Sequence, residues 1–156
     1  MLRTSDTQFC LVKNGKIEYI TEAHKPGSQK EKERIEKEGG SVSFVSGDWR
    51  VNGSLSVARA FGDIDYQNQG VTCQPDLKSF CLDGSEDYFI IGCDGLWETI
   101  DPSQLCKLVY EQKDKTQNIA EYLVKLAKDN GSSDNITAIF VLLKDSLDDI
   151  AEPIDV

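Results

Sequence analysis

The sequence predicts an α+β fold class, and three observations carry that expectation. An Asn-Gly dipeptide, Asn14-Gly15, divides two strand-length stretches near the start of the chain. Two continuous apolar runs, Tyr88 to Cys93 and Ile136 to Leu143, have the length of strands buried on both faces. Between them lie two stretches with apolar residues at helical spacing, one opening at Asp101-Pro102 and one running from Ile119 to Ala127.

In chain order, Phe9 to Lys13 reads as a strand and Ile17 to Ile20 as its return. Asn-Gly tolerates the positive φ angles that a two-residue hairpin turn demands. Pro26-Gly27 breaks the chain, and Ser28 is a candidate cap for a charged helix over Gln29 to Glu38. Ile35 is that helix's one large apolar residue, so it reads as a solvated surface helix with pairs such as Glu33 and Lys37. A docking face for a partner is the alternative. Gly39-Gly40 stops the helix, and Ser41 to Val45 reads as a strand.

Residues 46–76 read as irregular, rich in Gly, Asp, Asn and Gln, and loops of that length usually have a function. A strand is expected over Leu77 to Leu82, then a turn at Asp83-Gly84 and the buried strand Tyr88 to Cys93. Asp101-Pro102-Ser103-Gln104 is a helix start, with a capping Asp, Pro in the first turn and Gln at the capping-box position. The second helix stops at Asn130-Gly131. Ile136 to Leu143 is apolar throughout and is expected to be a central strand. Asp145 to Val156, with five acids and no base, is expected to be a frayed tail, with an interaction tail as the alternative.

Composition narrows the function. Lys and Arg number 17 against 27 Asp and Glu, a net charge of −10, so no basic stripe is available for nucleic acid or an anionic membrane surface. No apolar run approaches the ~20 residues that span a bilayer, and Met1 to Cys10 shows no signal peptide. Five cysteines without a C-x-x-C pair point to a reducing compartment, cytoplasmic or nuclear. A single His, His24, excludes His-rich zinc sites.

Two carboxylates stand out by position. Asp94 directly follows one buried strand, and Asp134 directly precedes the other. If those strands are neighbours, the acids converge as an oxygen-only donor pair, suited to Mg²⁺ or Mn²⁺ and not to zinc. The other account is that Asp94 caps the turn at Leu96-Trp97-Glu98 and Asp134 forms an Asx turn. Glu98, four residues after Asp94, could face the same ion. Asp6, just before the first strand, is a further loose carboxylate.

Four segments resemble the metal-dependent protein serine/threonine phosphatases of type 2C, the PPM-type family. They are Trp49 to Asp63 (WRVNGSLSVARAFGD), Ile90 to Glu98 (IIGCDGLWE), Gly131 to Thr137 (GSSDNIT), and His24-Lys25-Pro26 followed by Glu31 to Gly40. The segments occur in the family's order, the resemblance covers Asp6 to Leu143, nearly the whole chain, and the likeness is nearest to the calmodulin-dependent-kinase phosphatase branch. The resemblance implies a sandwich of two antiparallel sheets flanked by helices. It implies hydrolysis of phosphoserine and phosphothreonine in a phosphoprotein substrate by a metal-activated water, with two Mg²⁺ or Mn²⁺ ions per complete site. No nucleic-acid or membrane partner is implied.

By that likeness Asp94 and Asp134 match metal-binding aspartates, while Asp6 and Glu98 match positions that can hold a third ion. Glu98 stands where the family more often has Asp. Arg59 and Asp63 match the signature loop, where the expected role is an internal ion pair, with a substrate-facing Arg59 as the alternative. His24 matches a structural position. The family's phosphate-gripping Arg and the Asp-Gly-His motif with its general-acid His have no counterpart here. Residues 1–143 are thus expected to form the C-terminal portion of such a phosphatase domain, with the N-terminal part missing, and 144–156 an acidic tail. Little turnover by the isolated chain is expected. A non-catalytic, protein-binding fragment is the alternative.

Overall fold

The computed structural model describes residues 2–3, 5–116 and 118–154. Its elements in chain order are β1 (Leu2–Arg3), β2 (Gln8–Lys13), β3 (Lys16–Ile20), α1 (Gln29–Lys37), β4 (Val42–Val45), β5 (Asp48–Val51), α2 (Ile64–Gln67) and β6 (Asp76–Leu77). There follow β7 (Glu86–Gly92), α3 (Asp94–Trp97), α4 (Pro102–Gln112), α5 (Ile119–Asp129), β8 (Ala138–Leu142) and a 3₁₀ turn at Leu147–Asp149. The fold is mixed α+β with antiparallel sheets. The chain divides into two compact units, one joining Met1–Asp6 to Glu22–Ser79, the other joining Thr7–Thr21 to Phe80–Val156.

The second unit is built on a four-stranded sheet of order β3-β2-β7-β8. Asn14 and Gly15 sit at φ 50° and 71°, the two positive angles that let β2 and β3 twist together. Cys10 and Val12 of β2 and Tyr88 and Ile90 of β7 point into one apolar core. There they meet Leu105 and Val109 of α4 and Ile119, Leu123 and Ala127 of α5, residues spaced to lie on one helix face. Each fully buried Val, Leu or Ile side chain among them contributes roughly 1.5–3 kcal/mol relative to an exposed one. Both helices start on side-chain caps. Asp101 accepts from the Ser103 N–H at 2.9 Å, and Asn118 from the Glu121 N–H at 3.1 Å.

Two expectations fail in this unit. β8 is not central: among the described residues it pairs with β7 alone and forms one edge of the sheet. Its apolar run serves its two faces, with Phe140 against Tyr88 at 5.0 Å between ring centroids, while Ile139 remains 50% exposed. Nor are the described residues of the tail, 145–154, frayed; Asp155 and Val156 lie outside the described residues. Ser146 and Asp149 form a capping box, Ile150 is buried in the core, and the Ala151 N–H donates to Asp87 at 3.2 Å. Asp87, itself buried, also accepts from the Gly15 N–H at 2.8 Å, so one carboxylate ties the hairpin and the tail.

The first unit has a smaller core of Ile35, Val51, Ala58 and Val71. The segment expected to be irregular from 46 onward contains β5, joined to β4 by Ser46 and Gly47 at φ 53° and 91°. Their cross-strand pair Phe44 and Trp49 meets edge to face at 5.5 Å. The strand expected over Leu77 to Leu82 shrinks to β6, which pairs with β1. Phe80, counted in the second unit, stacks on Phe9 there at 5.8 Å instead of extending a ladder. Helix α1 is not fully solvated. Glu31 lies one turn before Ile35 and is buried with it, and the helix's own ion pairs are Arg34 with Glu31, Arg34 with Glu38 and Lys32 with Glu36.

Candidate metal centre

β7 ends at Gly92 and the chain turns at once into α3, so Asp94 opens a helical turn on the end of a buried strand. Asp134 lies in the loop between α5 and β8. The β7–β8 register pairs Gly92 with Ala138, and the Cys93 N–H donates to the Thr137 carbonyl at 3.2 Å, which carries the ladder one residue further. Three more bonds join the two loops. The Ser132 hydroxyl donates to the Gly95 carbonyl at 2.9 Å, the Cys93 thiol donates to the Asn135 carbonyl at 3.1 Å, and the Thr137 N–H donates to the same sulfur at 3.2 Å.

Gly95 makes the approach possible. A Cβ there would collide with the Asn135 carbonyl oxygen and sit 3.4 Å from the Asp134 Cβ. Asp94 and Asp134 are thus gathered at one end of the sheet. Each has one oxygen oriented by the next residue's backbone: Asp94 Oδ1 accepts from the Gly95 N–H at 2.9 Å, and Asp134 Oδ1 from the Asn135 N–H at 2.6 Å. Asp94 is half-buried and Asp134 exposed.

Both donors are hard oxygens, which fits Mg²⁺ or Mn²⁺. Among the described residues of either unit, no group of three or more His, Cys, Asp or Glu is gathered that could hold a metal ion. Two carboxylates therefore fit as part of a hard-cation site, not as all of it. Glu98 ends the same turn as Asp94, its N–H donating to the Asp94 carbonyl at 2.9 Å, and its side chain is exposed. Asp6 belongs to the first unit and accepts from the Ser5 hydroxyl at 3.1 Å.

The remaining candidates form a second cluster within the first unit. The expected Arg59–Asp63 pair is not what the loop builds. Arg59, buried, donates from Nε to Glu31 at 3.0 Å and from Nη1 to Asp76 at 2.9 Å and to the Gln74 carbonyl at 3.1 Å. Asp63 instead stands exposed before α2 at φ 47°. His24, also buried, meets Asp76 at 3.0 Å, and Arg34 meets Glu31 at 2.7 Å. All three guanidinium nitrogens of Arg59 are committed inside the unit.

The electrostatics follow from those contacts. Burial works to raise the Glu31 carboxyl, but hydrogen bonds from Arg59 and Arg34 outweigh it and hold the group at about 2. His24, then Arg59, hold Asp76 well below the usual carboxylate range. Glu31, Asp76 and Cys93 were not singled out from the sequence. For Glu31 the signal was its place four residues before Ile35, on the helix's one apolar side.

The chain matches the family model described as Protein phosphatase 2C over residues 4–136. It is 44% identical to Protein phosphatase 1E of Mus musculus over 144 residues, 90% of this chain and 19% of that protein. With Protein phosphatase 1F of Rattus norvegicus the identity is 42% over 147 residues, 92% of this chain and 32% of that one. The crystal structure of a phosphatase from a pathogenic strain of Toxoplasma gondii aligns with a TM-score of 0.81 at 29% identity, covering 90% of this chain and 46% of the other. The chain therefore spans less than a third of the length of these two curated relatives.

Proposed function

The chain belongs to the protein phosphatase 2C family, and we propose on that footing that it supplies part of a metal-dependent phosphatase site acting on phosphoserine and phosphothreonine in proteins. The observation that carries this reading is the convergence of Asp94 and Asp134 at the paired ends of β7 and β8. These two carboxylates hold Mg²⁺ or Mn²⁺, and Glu98, at the end of the same turn as Asp94, is a candidate for a further ion. When bound, such ions polarise water for attack on phosphorus and neutralise the phosphate oxygens.

The chain's own residues orient and support. Asp94 opens α3 directly after β7 and Asp134 lies in the loop bonded to it before β8, each with one oxygen held by the next residue's N–H, so part of the ordering is already done before binding. Arg59 anchors its loop through Glu31 and Asp76 and does not touch substrate. With two donors, the chain alone binds a divalent ion weakly and turns over slowly. Its lone His is paired with Asp76 and does not act as general acid.

Calorimetry of the chain with Mn²⁺, alongside Asp94→Asn and Asp134→Asn, tests the reading together with Mn²⁺-dependent hydrolysis of a phosphothreonine peptide. Weak saturable uptake that either substitution abolishes, with low turnover, is the expected result. Absence of any uptake sinks it. Robust turnover abolished by Asp94→Asn overturns the claim that the chain alone is slow. A second reading, a phosphatase-like module that binds proteins without catalysis, is favoured by the lack of a three-residue ligand group among the described residues. It requires that Mn²⁺ not bind at all.

A further inference from the structure

We infer that Cys93 is a positioning residue for the metal-binding pair: its thiol, donor and acceptor at once, sets the spacing of Asp94 and Asp134. The inference rests on the proposal that these carboxylates share a divalent ion, and adds what holds them in place.

In the antiparallel register, Cys93 and Thr137 should exchange two backbone hydrogen bonds. The first is made, from the Cys93 N–H to the Thr137 carbonyl at 3.2 Å. The second is not available in the usual form. The Cys93 carbonyl accepts from the Leu96 N–H at 3.1 Å and the Trp97 N–H at 3.3 Å, which starts α3 and carries Asp94 away from the strand. The Thr137 N–H turns instead to the Cys93 sulfur at 3.2 Å. The same thiol donates its S–H to the Asn135 carbonyl at 3.1 Å, on the residue that follows Asp134.

One side chain thus replaces a missing ladder bond and adds a second across the Asp134 loop, from a position adjacent to Asp94. Gly95 lets the loops touch, and the Cys93 thiol fixes how far apart they stay. Val or Ala at 93 can make neither bond, whereas a Ser hydroxyl can make both in kind. Groups that orient metal-binding side chains from behind commonly matter about 10–100-fold in affinity.

The test is an NMR titration of the full chain with Mn²⁺, reading paramagnetic broadening at the Asp94 and Asp134 amides in wild type, Cys93→Val and Cys93→Ser. Thermal unfolding reports the fold, and Cys93→Ala serves where Cys93→Val does not fold. The expected result is that Cys93→Val needs about tenfold more Mn²⁺ at a near wild-type Tm, and that Cys93→Ser recovers most of the loss. Equal Mn²⁺ dependence in wild type and Cys93→Val overturns this inference alone. No broadening in wild type overturns the shared-ion proposal, and this inference with it.

Discussion

Arg59 grips Glu31 across 28 residues of sequence, Nε on one carboxylate oxygen at 3.0 Å and Nη2 on the other, with both side chains buried. This pair, not one inside the signature loop, attaches that loop to α1. Its second hand, Nη1 on Asp76 at 2.9 Å, brings in β6.

Removing one partner of a buried pair leaves a charge without its counterion, which costs about 3–5 kcal/mol. Arg59→Ala should lower the urea unfolding free energy by about 3 kcal/mol. Arg59→Lys should recover little, because an ammonium cannot span both oxygens of Glu31 and still reach Asp76. A loss below about 1 kcal/mol for Arg59→Ala would show that the network is solvated and weak.

Acid should act through the same pair. Glu31 ordinarily titrates at 4.5 and is held at about 2 when folded, so as pH falls the unfolded chain takes up the proton first. Its contribution is complete above about pH 4.5 and is lost as pH falls toward 2, and the depressed Asp76 adds in the same direction. Unfolding free energies near pH 6 and pH 3 should diverge in wild type and diverge less in Glu31→Gln. Equal slopes would rule this group out as the source.

Asp87 predicts a coupled effect. It accepts from Gly15 and from Ala151, so Asp87→Ala strands a buried N–H at the hairpin and frees the segment after Leu143. The expected cost is about 2 kcal/mol. Limited proteolysis should show faster cleavage between 144 and 154, and an unchanged cleavage pattern would refute the tie.

Gly95→Ala has no room for its methyl group beside the Asn135 carbonyl. Relief requires the Asp134 loop to move, at a cost of about 1–3 kcal/mol. Mn²⁺ uptake should fall with it. A variant with wild-type stability and uptake would mean that the loops are not in contact.

Much of the fold was legible because local signals and tertiary packing agree. Asn14-Gly15 demanded its turn, Asp101-Pro102 its helix start, and the run now called β7 its burial. β5 was hidden because Ser46-Gly47 is a weaker turn signal than Asn-Gly and Trp49 alternates with charged neighbours. Apolar patterning reports how many faces a strand buries, not how many strands flank it, so β8 read as central and is an edge. At the candidate site, Asp94 and Asp134 were legible as acids at strand mouths. The Cys93 thiol was not, since its role depends on a carbonyl already committed to α3. Nor does any spacing rule connect Arg59 to Glu31.

The edge position of β8 bears on how the chain behaves in bulk. From Ala138 to Leu142 it carries neither a charge nor a proline, the usual guards against strand-to-strand association between molecules. Ile139 is half exposed along that edge, and an unguarded edge predicts that a second copy's β8 pairs there. Self-association should rise with concentration, so every affinity and melting point above needs measuring across a dilution series. Ile139→Lys, which puts a charge on that edge, should reduce the concentration dependence.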